Sequence, residues 1–325
     1  MPPRRAPRLN NEAGGAGGEL VRQRDAPRVS RTVQLLILVL LAAPTLVSTA
    51  QRVATNVGVD FYNVWGVSAA LHAAGPALGD PWRNGDGYLA KVRELVAASG
   101  DPKLQQVATY WRVPDYTGSP LLYTIFGPMA GPYSGTLSTY QAVQVIAFVA
   151  ACVLLAQLYG VDFFSASFIA LISLIGYQPF VSDLRVANLG SVQFAVLAVM
   201  LACARALRTR HADTGGARAV ALCAVVLAAL VGLTLAKPNI TLVTACIAVH
   251  LALRHGRRTF VPAALVAVGV GAALAILPCL YFGSWGVWHD WYSFVYGSNA
   301  LMLVRNVDDG NYSTVAIAAS ALGAG

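Results

Sequence analysis

Charge is what this chain has least of. Only 12% of its 325 residues are Asp, Glu, Lys or Arg, about half the usual share in a soluble domain. Hydrophobic residues make up 56%, and the mean hydropathy is +0.58. That balance excludes an ordinary soluble globular protein. The apolar runs also exclude one: several approach ~20 residues, the length needed to cross about 30 Å of hydrocarbon.

Other absences narrow the reading. The five cysteines, Cys152, Cys203, Cys223, Cys246 and Cys279, lie in separate apolar runs with no CxxC or Cys/His spacing. This excludes a disulfide framework or a zinc-ligand set, and the expectation is small buried hydrophobes. No Rossmann or phosphate-loop pattern occurs. No Asp, Glu, Lys or Arg falls near the centre of any long apolar run. Ion-coupled transporters place such groups at mid-membrane, so their absence argues against one, as does the lack of an inverted repeat. The formal charge of +8 does not point to nucleic acid, because the excess basic residues sit in the tail and short loops, where they set topology.

The expected architecture is all-α and polytopic, with about seven to eight transmembrane helices. Residues 1–32 are Pro-, Gly- and Arg-rich without apolar periodicity and read as a disordered basic tail. Residues 33–325 form the membrane domain. Spans are expected near 33–50, 138–159, 163–181, 190–207, 219–236, 239–253 and 261–282. Arg22, Arg24, Arg28 and Arg31 before the first span place the N-terminus in the cytoplasm. "RTRHADTGGAR" (208–218) and "RHGRR" (254–258) then fall on the same side. Residues 51–137 become a large first extracytoplasmic loop carrying interfacial helices. Within it, 119–131 is apolar but too short to cross and is interrupted by prolines, which suggests an interfacial or re-entrant helix. The closing stretch 312–325 is short for a span, so the expectation is a chain truncated at its C-terminus.

Polar groups gather at the outer ends of the spans. Asp60 leaves the first. Asp183, Arg185, Asn188 and Gln193 lie between the third and fourth, and Lys237 and Asn239 between the fifth and sixth. His289, Asp290, Arg305, Asp308 and Asp309 follow the seventh. A carboxylate among cations beside lipid suits chemistry on a lipid-linked phosphate. Each residue also has a plainer reading. Asp60 is equally placed to N-cap the next helix, whose Phe61, Val64, Trp65 and Leu71 form an apolar stripe. Phe61, Tyr62 and Trp65 read as interfacial aromatics. Arg185 and Lys237 suit snorkelling anchors, and Pro238 a helix break. Asp308 and Asp309 read as solvated turn residues, and His250 as a hydrogen-bonded structural histidine.

Six segments, taken in order, resemble the integral-membrane C-type glycosyltransferases, most narrowly glycosyltransferase family 87, the polyprenol-phosphate-mannose-dependent mannosyltransferases. They are "VDFYNVWGVSAAL", "GDPW" (79–82), "YTGSPLLYTIFGP", "LRVANLGSVQFAVLAVML", "LAKPNITLV" and "GNYSTV" (310–315). The resemblance covers about residues 33–320. It implies that Asp60 is the catalytic base, and that Arg185 and Lys237, with Asn188, Gln193 and Asn239, hold the donor phosphate and substrate. No metal or other cofactor is implied. The implied donor is a polyprenyl-phosphate sugar, and the acceptor a glycolipid or cell-envelope glycan hydroxyl outside a bacterial plasma membrane. Where the family often has Gly-Gln, this chain has Gly190-Ser191. The alternatives are a lipid-linked sugar transporter or flippase, and a non-catalytic membrane subunit.

Overall fold

The computed structural model describes residues 30–110, 116–208 and 216–298, and every regular element among them is helical. The first helix, α1 (Arg31–Thr55), starts at Ser30, whose hydroxyl accepts from the Val33 N–H at 3.3 Å, the usual N-cap bond. It runs past the expected end at residue 50. In the added turn the Arg52 guanidinium donates to the carbonyls of Leu174 and Ile175, both at 3.3 Å. These close the C-terminal end of α7 (Phe163–Gly176), where carbonyls have no intrahelical partner.

Between α1 and the next long helix lies a compact group of shorter ones: α2 (Val59–Ala74), α3 (Gly85–Ala98), α4 (Pro102–Tyr110) and α5 (Pro120–Phe126). They pack around α2, which is buried on nearly every side rather than along one stripe. Phe61, Tyr62 and Trp65 are therefore core residues and not an interfacial belt, at 0%, 2% and 4% exposure. Phe61 stacks on Tyr140 (5.7 Å) and meets Phe126 edge-on (6.2 Å). Tyr140 belongs to the long helix α6 (Tyr133–Leu158). The 119–131 run forms α5 and a 3₁₀ turn, Gly127–Met129, with Ser119 as N-cap and Pro120 in the first turn.

One expected span differs in shape. The one near 163–181 is two helices, α7 and α8 (Gln178–Val186), bent by 60° at Tyr177. Pro179 lacks an N–H and fits only a helix's first turn, so it starts a new helix there. The chain then forms α9 (Gly190–Arg208), α10 (Ala217–Ala236) and α11 (Thr241–Phe282). Within α11, Gly256 is non-helical at φ 67°, ψ 165°. A straight helix would hold Thr244 and Ala267 about 35 Å apart, yet both line one hollow beside Leu230 and Thr234 of α10. The helix therefore doubles back at Gly256, where only glycine adopts positive φ freely. Its two arms lie along α10, with Thr234 and Thr244 hydroxyls 2.8 Å apart. A short helix, α12 (Val287–Ser293), follows.

Five helices, α1, α6, α9, α10 and α11, are long and apolar enough to cross a membrane, and the bent α7–α8 pair is a sixth candidate. Their outer faces expose large apolar side chains, among them Val39 (64%), Ile146 (68%), Leu253 (83%) and Leu265 (68%). Exposed apolar patches of this extent suit a lipid surroundings. The chain is thus a helical protein of multi-pass membrane character. All five cysteines are unpaired; Cys223 and Cys279 are buried as expected, but Cys246 is exposed. His250 is also exposed.

One position fixes where α2 begins. Gly58 caps it in a left-handed conformation (φ 66°, ψ 66°). A Cβ there would stand 2.5 Å from Cδ1 of Leu137, which is fully buried. Left-handed strain costs about 1–2 kcal/mol, and overpacking about 1–3 kcal/mol. Gly58→Ala is expected to lose at least about 2 kcal/mol, read as a lowered Tm of the purified protein in detergent; an unchanged Tm would contradict this packing.

Candidate functional site

A cavity of about 340 Å³ opens where five segments end together: the start of α2, the start of α5, the α8–α9 turn, the end of α10 and the α12 region. Its polar lining includes Asp60, Asn63, Asn188 and Lys237, and its apolar walls include Phe126 and Trp291.

Asp60 is not the N-cap of α2. That position is Gly58, which offers no side chain, and Asp60 lies in the first turn, half-buried. The positive end of the helix favours a carboxylate there. The turn before it is fastened by the Tyr133 hydroxyl, which reaches the carbonyls of Val57 and Gly58 (3.0 Å to the latter). The indole of Trp65 donates to the Gly131 carbonyl at 2.9 Å. Asn63 shares the cavity face with Asp60 because residues three apart on a helix are neighbours.

The α8–α9 turn brings Asn188 into the same lining. Its carbonyl accepts from the Tyr140 hydroxyl (2.7 Å) and the Gln144 amide (2.6 Å). Its side-chain oxygen accepts from the Leu189 N–H (2.6 Å) and from Lys237 Nζ (3.4 Å). Ala187 in the lining holds φ 56°, the single positive φ among described non-glycine residues, a strained position of the kind found at binding sites. Asp183 holds the turn from behind. It accepts from the N–H groups of Gly190 (3.1 Å) and Ser191 (2.8 Å), from the Ser191 hydroxyl and from the Gln144 amide (3.2 Å). It therefore caps α9 and does not face the cavity. A Cβ at residue 190 would stand 2.6 Å from its carboxylate, so glycine is required.

Lys237 ends α10, because Pro238 cannot continue the helix and opens a 3₁₀ turn, Pro238–Ile240. The Ser119 hydroxyl anchors this end by donating to the Ala236 carbonyl (2.9 Å) while accepting from the Leu122 N–H (3.2 Å). One hydroxyl thus joins the start of α5 to the end of α10.

Of the residues singled out from sequence, Asp60, Asn188 and Lys237 share the cavity. Arg185 is exposed in the last turn of α8 and is not in the lining. Gln193 is also outside the lining, with its amide nitrogen buried and unpartnered. The side chain of Asn239, residues 1–29 of the tail, Arg305, Asp308, Asp309 and the 310–315 motif lie outside the described residues. Asp290 is engaged elsewhere, by Arg83 (Nε–Oδ2 2.6 Å) and more loosely by His289 (3.4 Å). Near it, Asp80 of "GDPW" is buried, and burial pushes its carboxyl pKa upward against the Arg83 N–H bond. Thr117, Ser119, Tyr123, Trp291 and Tyr296 were not anticipated. Only Ser119 had a local signal, since Ser before Pro marks a helix start.

Among the described residues no three His, Cys, Asp or Glu side chains gather as a metal ion would require. The cavity thus brings together a carboxylate, an ammonium and two carboxamides beside aromatic walls. Such a set can accept a proton and bind an anion. No family model, curated protein or solved structure matches the chain.

The two charged residues of α8 separate cleanly by stability. Asp183→Asn keeps the shape but turns an amide toward N–H donors. Charged hydrogen bonds are worth about 1.5–3 kcal/mol each, so a loss of about 2–3 kcal/mol is expected. Arg185→Ala, on the surface, is expected to change stability by less than about 0.5 kcal/mol. Thermal unfolding of both variants in detergent checks the pair.

Proposed function

We propose that this chain is a membrane glycosyltransferase, which moves a sugar, mannose by its resemblance to family 87, from a polyprenyl-phosphate donor to an acceptor hydroxyl. The observation that carries the reading is the shared cavity: Asp60 and Lys237 face one space at the polar ends of lipid-exposed helices. A lipid-linked phosphate needs that placement, with its tail in hydrocarbon and its head among polar groups.

In this reading Asp60 takes the proton from the acceptor oxygen as that oxygen attacks the anomeric carbon. The bond from that carbon to the phosphate oxygen breaks, and the electron pair leaves with the phosphate. Lys237 stabilises the growing negative charge as a point charge, positioned by its contact with Asn188. Direct displacement inverts the anomeric centre. Arg185 has no place in the lining, so Lys237 takes the phosphate role that both cations shared in the sequence reading. Counting the two arms of α11 and the α7–α8 pair each as a crossing gives about seven passes. With the N-terminus inside, the cavity opens on the extracytoplasmic face of a bacterial plasma membrane. The acceptor is then a glycolipid or cell-envelope glycan.

The test is transfer of radiolabelled mannose from synthetic polyprenyl phosphomannose to a membrane lipid extract by purified protein. Wild type is expected to transfer it, and Asp60→Asn to fall by at least about 100-fold, since a positioned base contributes about 10²–10⁴-fold. Equal turnover by the mutant would refute the base assignment. Absence of transfer by wild type would favour the non-catalytic or transporter alternatives.

A further inference from the structure

At the other end of the bundle α9, α10 and the first arm of α11 enclose a second hollow, of about 480 Å³. α9 and α11 both start beside the Asp60 cavity, at Gly190 and Thr241, so depth is read along them at 1.5 Å per residue. Leu197 and Cys246 lie about 8–10 Å from those starts, and Ala204 and Arg254 about 20 Å. The near part of the hollow is walled by apolar groups, including Leu197 and Ile247, and Met200 and Val226 carry the apolar wall to about 15 Å, where His250 also lies. The far part carries Arg254 and His255. The polarity thus changes along the hollow, from hydrocarbon-like to cationic.

The surroundings have the same sign. Arg257 and Arg258 follow Gly256 and are exposed, as is Arg205 on α9. From Thr241 to Phe282 the sequence contains no Asp or Glu. Among the described residues at this end the one acid is Asp162, whose carboxylate caps α7 through Ser165. The reversal at Gly256 presents the cations at the helix end, where a headgroup lies when its chain runs along the helices. A free phosphate ester would leave the apolar part unused, and a neutral lipid would leave the cations unused.

From this gradient we infer that the hollow binds an anionic glycerophospholipid, with an acyl chain against Leu197, Met200 and Val226 and the phosphate at Arg254 and His255. Basic pockets between membrane helices serve this purpose. The inference does not depend on glycosyl transfer at Asp60, and activity is not its readout.

The test titrates delipidated full-length protein in detergent with phosphatidylglycerol and phosphatidylcholine of identical chains, counting bound lipid by native mass spectrometry. Wild type is expected to retain phosphatidylglycerol at least about fivefold better. Arg254→Ala should abolish that preference, whereas Arg31→Ala, an exposed arginine on α1 outside the hollow, should keep it. Ala204→Trp, filling the hollow, should weaken both lipids. Soluble glycerophosphoglycerol should not compete. Equal retention of the two lipids by wild type would overturn the inference, and this comparison does not rely on any variant folding. Competition by the soluble headgroup would make it a site for a free phosphate ester. An equal loss in Arg31→Ala would reduce it to diffuse attraction to a basic surface.

Discussion

The constraint on which this structure depends is that helix ends in or near hydrocarbon cannot leave backbone groups unpaired. At the Asp60 end, side chains meet that demand. Asp183 closes the start of α9, Ser119 joins the start of α5 to the end of α10, and Arg52 closes the end of α7. Tyr133 fastens the turn ahead of α2. Each of these bonds also ties one helix to another, so capping and tertiary assembly are one event. The cavity is the space these tied ends enclose.

That construction explains how few charges suffice. The helices contribute alignment and the apolar packing, and the polar side chains are concentrated where the chain leaves helical geometry. Strain collects in the same places: Ala187, in the lining, is the one described non-glycine residue at positive φ. A site built from helix ends inherits rigid supports and lies where apolar helices give way to polar residues. This is the physical basis for proposing that a lipid-linked phosphate and a soluble hydroxyl meet there.

Much of the fold was legible in the sequence because apolar run length is a strong signal. The bounds of α6, α9 and α10 lie within a few residues of the expected spans. The bend at Tyr177 was missed, although Pro179 marked it, because hydropathy averages across a break. The interior position of Phe61, Tyr62 and Trp65 was also missed. Aromatics after a span look the same whether a lipid interface or a layer of helices covers them, and that cover is built from α3, α5 and the start of α6, which have no local mark of contact with α2. At the site, Asp60, Asn188 and Lys237 were legible as polar groups at span ends. Asp183 was grouped with them, because sequence does not tell a carboxylate facing a cavity from one capping a helix. Trp291 and Tyr296 reach the cavity by a long-range return of the chain that no nearby pattern announces.

The central claim is that the space between Asp60 and Lys237 receives a polyprenyl phosphate sugar. The most direct measurement is protection of a cysteine placed at Thr117, a lining residue, in a background lacking the five native cysteines. A membrane-impermeant maleimide would report its accessibility in oriented vesicles. The account predicts that polyprenyl phosphomannose slows labelling severalfold while the matching polyprenol does not. Labelling at the same rate with and without the phosphomannose would contradict it.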